Sequence, residues 1–397
     1  MTPPEYIPPI LPWNNVGLAT HVDRHLAFRI DPDTILDGPE MSRALRLEQF
    51  VCLALEATTA PFHAGSDPRK FVYTQNQFDS AARKLAAMLP FLMADITILN
   101  PSGPYANQFL FAPHLRLLGE VFFSSDISGY RGDAKCQSVE YLDSSIAESY
   151  NDFVASFRQI MHARKLLRRE LHNWSLGSCE NVANLNTYLQ DFFSQHDSVT
   201  VLHLRLSHVK ATAGWVAVPM DDQRRDLELL RKSRALFFDR LRRKPALFTA
   251  APGYVWAIIP TVDGCYELHL TLLFSSAALQ KVLDDIDSEA AQRGGASEDH
   301  ADLIGAYWVR IATDGRGTYR RGDWIGRLYD PRQWVHGDVR ADDVCGREKL
   351  RETLGYFACR RALVRLENEP AGEYFGIPER KTRGARRSVR GRVGCTE

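Results

Sequence analysis

At 397 residues, 45% hydrophobic and 25% charged, the chain has room for two or three globular units at about 150 residues each. Lysine plus arginine equals aspartate plus glutamate at 49 each, which excludes a histone-like polycation and a uniformly acidic disordered chain. No apolar run approaches the ~18 residues a membrane span needs, and the opening MTPPEYIPPI has neither the basic nor the apolar region of a secretory leader. A soluble cytoplasmic protein without a membrane partner is expected. The seven cysteines are scattered, with no Cys-x-x-Cys pair, so reduced thiols are the default. Walker, Rossmann, His-Glu-x-x-His and Gly-x-Ser-x-Gly patterns are absent.

Residues 1–197 read as mainly helical. Leu45, Leu47, Phe50, Val51 and Leu55 fall near a 3.6-residue period between Ser42 and Thr58, and Phe78–Met93 behaves similarly until Pro90 interrupts it. Tyr150, Phe153, Val154, Phe157, Ile160 and Met161 form a cleaner stripe that continues into the basic ARKLLRREL segment, and Val182–Phe193 makes a third amphipathic run. Pro101–Pro104 and Gly129–Gly132 carry loop signals.

The pattern changes near residue 198. VTVLHLRLSHV (199–209) alternates, with Leu202, Leu204 and Leu206 on one face and His203, Arg205 and Ser207 on the other, as in a half-buried strand. A long helix follows, with Asp221 and Asp222 at its start and Leu227, Leu230, Phe237, Phe238 and Leu241 as its buried stripe. Gly253–Pro260 and Glu267–Phe274 read as a hairpin around Asp263-Gly264, ahead of a helix over Ser276–Gln292. Strand, helix, hairpin, helix is most of a split βαββαβ layout, so residues 198–375 should form an α+β domain: an antiparallel sheet with helices on one face. Residues 376–397 form a basic tail, read as flexible.

Three constellations could carry chemistry. Glu267, His269 and Thr271 share a strand face, so a carboxylate and an imidazole point the same way, at a spacing suited to one divalent ion. A sheet with one solvated face shows the same alternation. In the helical run Arg347–Arg361, Tyr356 could offer its phenolic oxygen to a phosphate with Arg360 and Arg361 one turn on, or could simply be a core aromatic beside Leu354 and Phe357. Arg240, Arg243 and Lys244 on the long helix, with Arg316, Tyr319, Arg320 and Arg321 further on and Trp256 among the interleaved aromatics, suit phosphate contacts plus base stacking. Charged helix faces are also ordinary solvated faces.

The order of segments VLHLRL, FFDRLRRK, GYVWA, ELHLTLLF, IGAYW with TDGRGTY, LGYFACRR and YFGIPERKTRG resembles the YagK/YfjJ C-terminal domain family, related to the replication initiators of filamentous phages (inoviruses) and found in prophages and other mobile elements. The resemblance covers residue 200 to the end. It implies an HUH-endonuclease, RRM-like palm that initiates rolling-circle replication: a histidine-held Mg²⁺ or Mn²⁺ polarises a phosphodiester that a helix tyrosine attacks. His269 then matches the second metal-binding histidine and Tyr356 the nucleophile. Glu267 stands in place of the first histidine, Ile259 in place of an acidic residue, and Cys359 in place of a lysine for which Arg360 is the nearest substitute. Three functions follow as alternatives: a metal-dependent strand transferase, a catalytically degenerate relative that binds single-stranded or origin DNA, and an unrelated interaction protein. Oligomeric state is not legible.

Overall fold

A computed structural model describes residues 28–29, 35–36, 40–64, 72–75, 79–103, 109–132, 142–208, 220–260, 266–322, 334–367 and 369–378. In the N-terminal half, β1 (Phe28–Arg29) and β2 (Ile35–Leu36) pair ahead of α1 (Glu40–Glu56). There follow β3 (Phe62–Ala64), β4 (Val72–Gln75), α2 (Ser80–Asp95), β5 (Phe109–Phe111), α3 (Pro113–Phe123), β6 (Leu142–Asp143), α4 (Ser144–Ala163) and α5 (Lys165–Gln195). Asp79 caps α2 by accepting from the amides of Ala81 and Ala82. The helix then runs through Pro90 instead of stopping there. Leu85, Leu89, Leu92 and Met93 are buried on its core face, and that packing outweighs the missing amide donor.

The stripe that begins at Tyr150 does not continue unbroken into the basic segment. Arg164 leaves the helical region (φ −81°, ψ 88°), so α4 ends and a new helix begins. That helix, α5, absorbs the Val182–Phe193 run into one element of 31 residues. Gly129–Gly132 belongs to a 3₁₀ segment, Asp126–Gly132, and is not an open loop. The centre of this half is aromatic: Phe50 stacks on Phe153, and Phe122 meets Phe153 edge-on.

The second half contains β7 (Ser198–His208), α6 (Met220–Leu241), the short α7 (Pro245–Phe248), β8 (Gly253–Pro260), β9 (Tyr266–Ser275), α8 (Ser276–Gln292) and α9 (His300–Tyr307). A π-helical segment, Trp308–Ala312, then leads to β10 (Gly317–Arg321), β11 (Gly337–Arg340), α10 (Val344–Cys359), β12 (Val364–Leu366) and β13 (Phe375–Gly376). The main sheet has the order β10-β7-β9-β8-β13, with β11 pairing along the start of β7. Its pairings are antiparallel. Taking β7, β8, β9 and β10 as strands one to four, the central order is 4-1-3-2, the split βαββαβ expected from the sequence. The Asp263-Gly264 turn and the tail from residue 379 lie outside the described residues.

The leucine face of this sheet (Leu204, Leu206, Leu268, Leu270, Leu272) shares one core with Leu227, Leu230 and Phe237 of α6, Leu279 of α8 and Ile304 of α9. The opposite face is covered as well, contrary to the expectation of helices on one side only. Val199, Val201, Val255, Ala257 and Leu273 join Leu354, Phe357 and Ala358 of α10 in a core that continues into the N-terminal helices. Among the contacts across that junction are a backbone-to-hydroxyl hydrogen bond and a strand pairing. Tyr254 donates its backbone N–H to the Tyr188 hydroxyl on α5 at 3.1 Å, and β12 pairs with β5 of the N-terminal half.

Candidate functional site

Five polar side chains occupy the middle of the α10-facing side of the sheet. The register sets His203 opposite Thr271 and Arg205 opposite His269, with Glu267 two residues along β9 from His269. Strand alternation accounts for this shared face. His203, Arg205, His269 and Thr271 are all buried, so the face is roofed by protein and does not meet solvent as a free sheet face would. The roof comes from α10 and from residues 334–336. The Phe357 ring lies 5.3 Å from His269 and 5.7 Å from Trp334, and the His203 ring lies 4.6 Å from Trp334 and 5.3 Å from His336.

Each polar group under the roof has a defined environment. Nδ1 of His203 lies 2.7 Å from the Thr271 hydroxyl, and its Nε2 donates to the Val335 carbonyl at 3.0 Å. Burial, then the neighbouring His336, holds His203 well below the ordinary imidazole range. Burial also depresses His269, followed by the positive charges of Arg205 and Arg360. Both imidazoles are therefore neutral near pH 7.

Glu267 is engaged by a protein cation. Arg205 donates from Nε to Glu267 Oε2 at 2.7 Å, and its Nη2 contacts the same oxygen. The two side chains are 6% and 15% exposed, so the pair is largely removed from water. His269 Nε2 lies 3.9 Å from that carboxylate oxygen. The expected Mg²⁺ or Mn²⁺ does not fit this arrangement: it would share the carboxylate with a guanidinium that already neutralises it. Among the described residues no group of three or more His, Cys, Asp or Glu side chains could hold a metal ion. Glu267 and His269 are thus brought together as the spacing indicated, with an arginine beside them.

Tyr356 lies on α10, next to the Phe357 that covers His269, so the structure brings the candidate nucleophile to the same side of the sheet. Its ring is 3% exposed and 6.1 Å from the Phe357 ring. Arg360 follows in a 3₁₀ turn, Arg360–Ala362, and is also buried. Cys359, at the position where the resemblance expects a lysine, is buried and its thiol is pushed up by desolvation.

The cationic residues divide into two sets. Arg240, Arg243, Lys244, Arg316 and Arg320 are exposed, with Arg243 in an i,i+4 pair to Asp239 at 3.1 Å. Arg321 is held by Asp299 and Asp302 at 2.9 and 2.8 Å, and the Tyr319 hydroxyl donates to Asp302 at 3.1 Å. The Tyr319 ring lies against Gly305, where an added Cβ would come within 2.2 Å of a ring carbon. Trp256 is 6% exposed and lies under the Arg234 guanidinium, 3.8 Å from the ring centroid, with Gly376 close against the Cζ2–Cε2–Nε1 edge of its indole. Trp256 is therefore packed inside the fold and Tyr319 is half-buried against α9, while the five exposed cations remain on its surface.

A strap formed by residues 369–376 closes the far edge of the sheet. Arg361 pairs with Glu369 at 2.6 Å and stacks 3.9 Å above Tyr374, and Arg231 donates to the Ala371 carbonyl at 2.9 Å. Gly372 makes this approach possible: its φ is +127°, and a Cβ there would lie 2.7–2.9 Å from the Arg231 guanidinium. Elsewhere, a cleft of about 490 Å³ between α3 and α4 is lined by Glu120, Asp126 and Asp152, with Arg164 paired to Glu120 at 3.6 Å. Its acidic lining disfavours phosphate.

No family model, curated protein or solved structure matches this chain. Sequence reasoning placed Arg205 on the polar face without assigning it a partner, and it did not find Trp334 or His336. The Arg205–Glu267 pair was in principle legible, because the strand register sets Arg205 beside His269. The Trp334 roof comes from an irregular segment with no periodicity to read.

Proposed function

We propose that this chain is a DNA-binding protein of the mobile-element replication-initiator type, with an RRM-like palm, that holds single-stranded or origin DNA on an outer basic surface without cutting it. The supporting observation is where the exposed cations gather. Arg240, Arg242, Arg243 and Lys244 lie at the C-terminal end of α6, and Arg310 and Arg316 lie on the π segment and the turn after it, whereas Arg320 sits opposite Arg205 on the other face of the sheet. These elements adjoin. His208 of β7 reaches Ser233 of α6 at 2.8 Å and is also acted on by Arg316, while Arg240 acts on Tyr307 at the end of α9. The surface so formed has the charge to follow a phosphate backbone.

The 4-1-3-2 strand order supports the palm reading. The Arg205–Glu267 pair and the roof over His269 support the degenerate form over the strand transferase. Fluorescence anisotropy with a labelled single-stranded oligonucleotide over a salt series tests the binding. The logarithm of affinity should fall linearly with the logarithm of salt, and Arg240→Ser/Arg243→Ser/Lys244→Ser should flatten the slope by about 2, at roughly 0.7 per lost phosphate contact. An unchanged slope would remove this surface from the interface. With Mn²⁺ present, denaturing electrophoresis should show no protein–DNA adduct; an adduct lost in Tyr356→Phe would establish the transferase instead.

A further inference from the structure

We infer that Arg205 is a built-in substitute for a divalent cation, and that this guanidinium excludes metal from the sheet face beside Glu267 and His269. Two donors from one strand, Glu267 Oε2 and His269 Nε2, stand 3.9 Å apart. One ion bonded to each at about 2.1 Å can bridge that separation. The positive charge found there belongs to Arg205, bonded to the same Oε2 through both Nε and Nη2. Arg205 reaches the carboxylate because the β7–β9 register places it directly opposite His269.

Electrostatics and burial both hold the guanidinium in place. Arginine stays protonated at any working pH, and its fork suits a carboxylate. At 6% and 15% exposure the two side chains are poorly screened, and displacing one partner would leave the other buried and uncompensated. A second guanidinium, Arg360, acts on His269 from the α10 side. An arriving Mn²⁺ would therefore meet two fixed positive charges and a carboxylate already neutralised. The inference rests on Arg205, Glu267, His269 and Arg360 and does not depend on whether the chain binds DNA.

The test is Mn²⁺ titration of the full-length protein, read by the loss of free Mn²⁺ signal in electron paramagnetic resonance. Wild-type protein should show no binding that depends on Glu267 up to about 1 mM, the weak end of protein carboxylate sites, and Glu267→Gln should titrate identically. Arg205→Gln, which keeps donors but removes the charge, should gain one saturable site that Arg205→Gln/Glu267→Ala loses. If Arg205→Gln is destabilised, the same site is read as a rise in its melting temperature with added Mn²⁺, absent in wild type, because a ligand specific to the native state stabilises it. Stoichiometric Mn²⁺ binding by wild type that Glu267→Gln abolishes would overturn the inference. So would Arg205→Gln that neither binds Mn²⁺ nor is stabilised by it.

Discussion

The sharpest structural prediction concerns the Arg205–Glu267 pair, because removing one partner and removing both should have very different effects. Arg205→Met leaves the Glu267 carboxylate under the α10 roof without its cation, and Glu267→Met leaves the guanidinium without its anion. Breaking a buried pair from one side costs about 3–5 kcal/mol. Glu267 retains 15% exposure, so we place Glu267→Met and Arg205→Met at the lower end, about 3 kcal/mol each. The double variant replaces both charges with apolar side chains on a face that already carries Val201, Ala257 and Leu273. Replacing a buried pair with hydrophobic residues is often close to neutral, so the double variant should lie within about 1 kcal/mol of wild type. The coupling energy is then roughly 5 kcal/mol, above the 0.5–3 kcal/mol usual for neighbouring residues. Urea unfolding monitored by far-ultraviolet circular dichroism of the four proteins measures it. Additive losses, with the double variant destabilised by the sum of the singles, would show that the pair contributes little and would refute the description of this face as a closed ionic site.

Other elements give equally concrete expectations. Gly305→Ala should destabilise by about 1–3 kcal/mol through overpacking against Tyr319, yet in a Tyr319→Ala background it should be neutral or stabilising, since alanine exceeds glycine in a helix by about 1 kcal/mol; urea midpoints in both backgrounds check the change of sign. His203 and His269 are held neutral by burial, so the unfolded chain binds more protons than the folded one at mildly acidic pH. Their contribution is complete above about pH 6.5 and is lost as pH falls below it, by up to about 1.4 kcal/mol per pH unit for each ring. His203→Asn/His269→Gln should flatten the thermal stability profile between pH 7 and 5. Gly372→Ala, strained by its positive φ and by contact with Arg231, should loosen the strap and shift tryptophan emission to longer wavelength as Trp256 gains water, an effect that Trp256→Phe removes.

How far the sequence could be read depends on what each signal encodes. Alternation along residues 199–209 and 267–274 carries the face each side chain takes, and the structure keeps those faces: Leu204, Leu268 and Leu270 on one, His203, Arg205 and His269 on the other. Alternation cannot say what lies above a face. Polar residues in that pattern read as solvated, whereas α10 and Trp334 bury them. Covering them required a helix far away in sequence, whose Tyr356 and Phe357 look the same in sequence whether they serve a core or a reaction. The same limit applies to charge. Arg240 and Arg321 are alike as letters, but Arg321 is neutralised by Asp299 and Asp302, residues of a different element. Helix ends were missed where tertiary packing overrode a local signal, as at Pro90, or where a break arose without glycine or proline, as at Arg164.

On the proposed DNA-binding reading, magnitudes also decide where a strand would lie. Reaching the His269 face would require lifting α10, exposing at least Leu354, Tyr356, Phe357 and Cys359, which are now almost fully buried. At roughly 1.5–3 kcal/mol per large apolar side chain, exposing Leu354, Tyr356 and Phe357 alone costs on the order of 5–9 kcal/mol before any backbone contact is lost. Sequence-independent binding with a dissociation constant of 10⁻⁴–10⁻⁶ M supplies only about 5–8 kcal/mol. A strand that opened the face would therefore gain little or no net affinity, whereas one lying along the outer α6 surface finds Arg240, Arg243 and Lys244 already exposed. DNA on this chain should thus protect the C-terminal end of α6 from hydrogen exchange and leave α10 unchanged; deprotection of α10 on adding oligonucleotide would mean that the roofed face opens and that the outer surface is not the binding site.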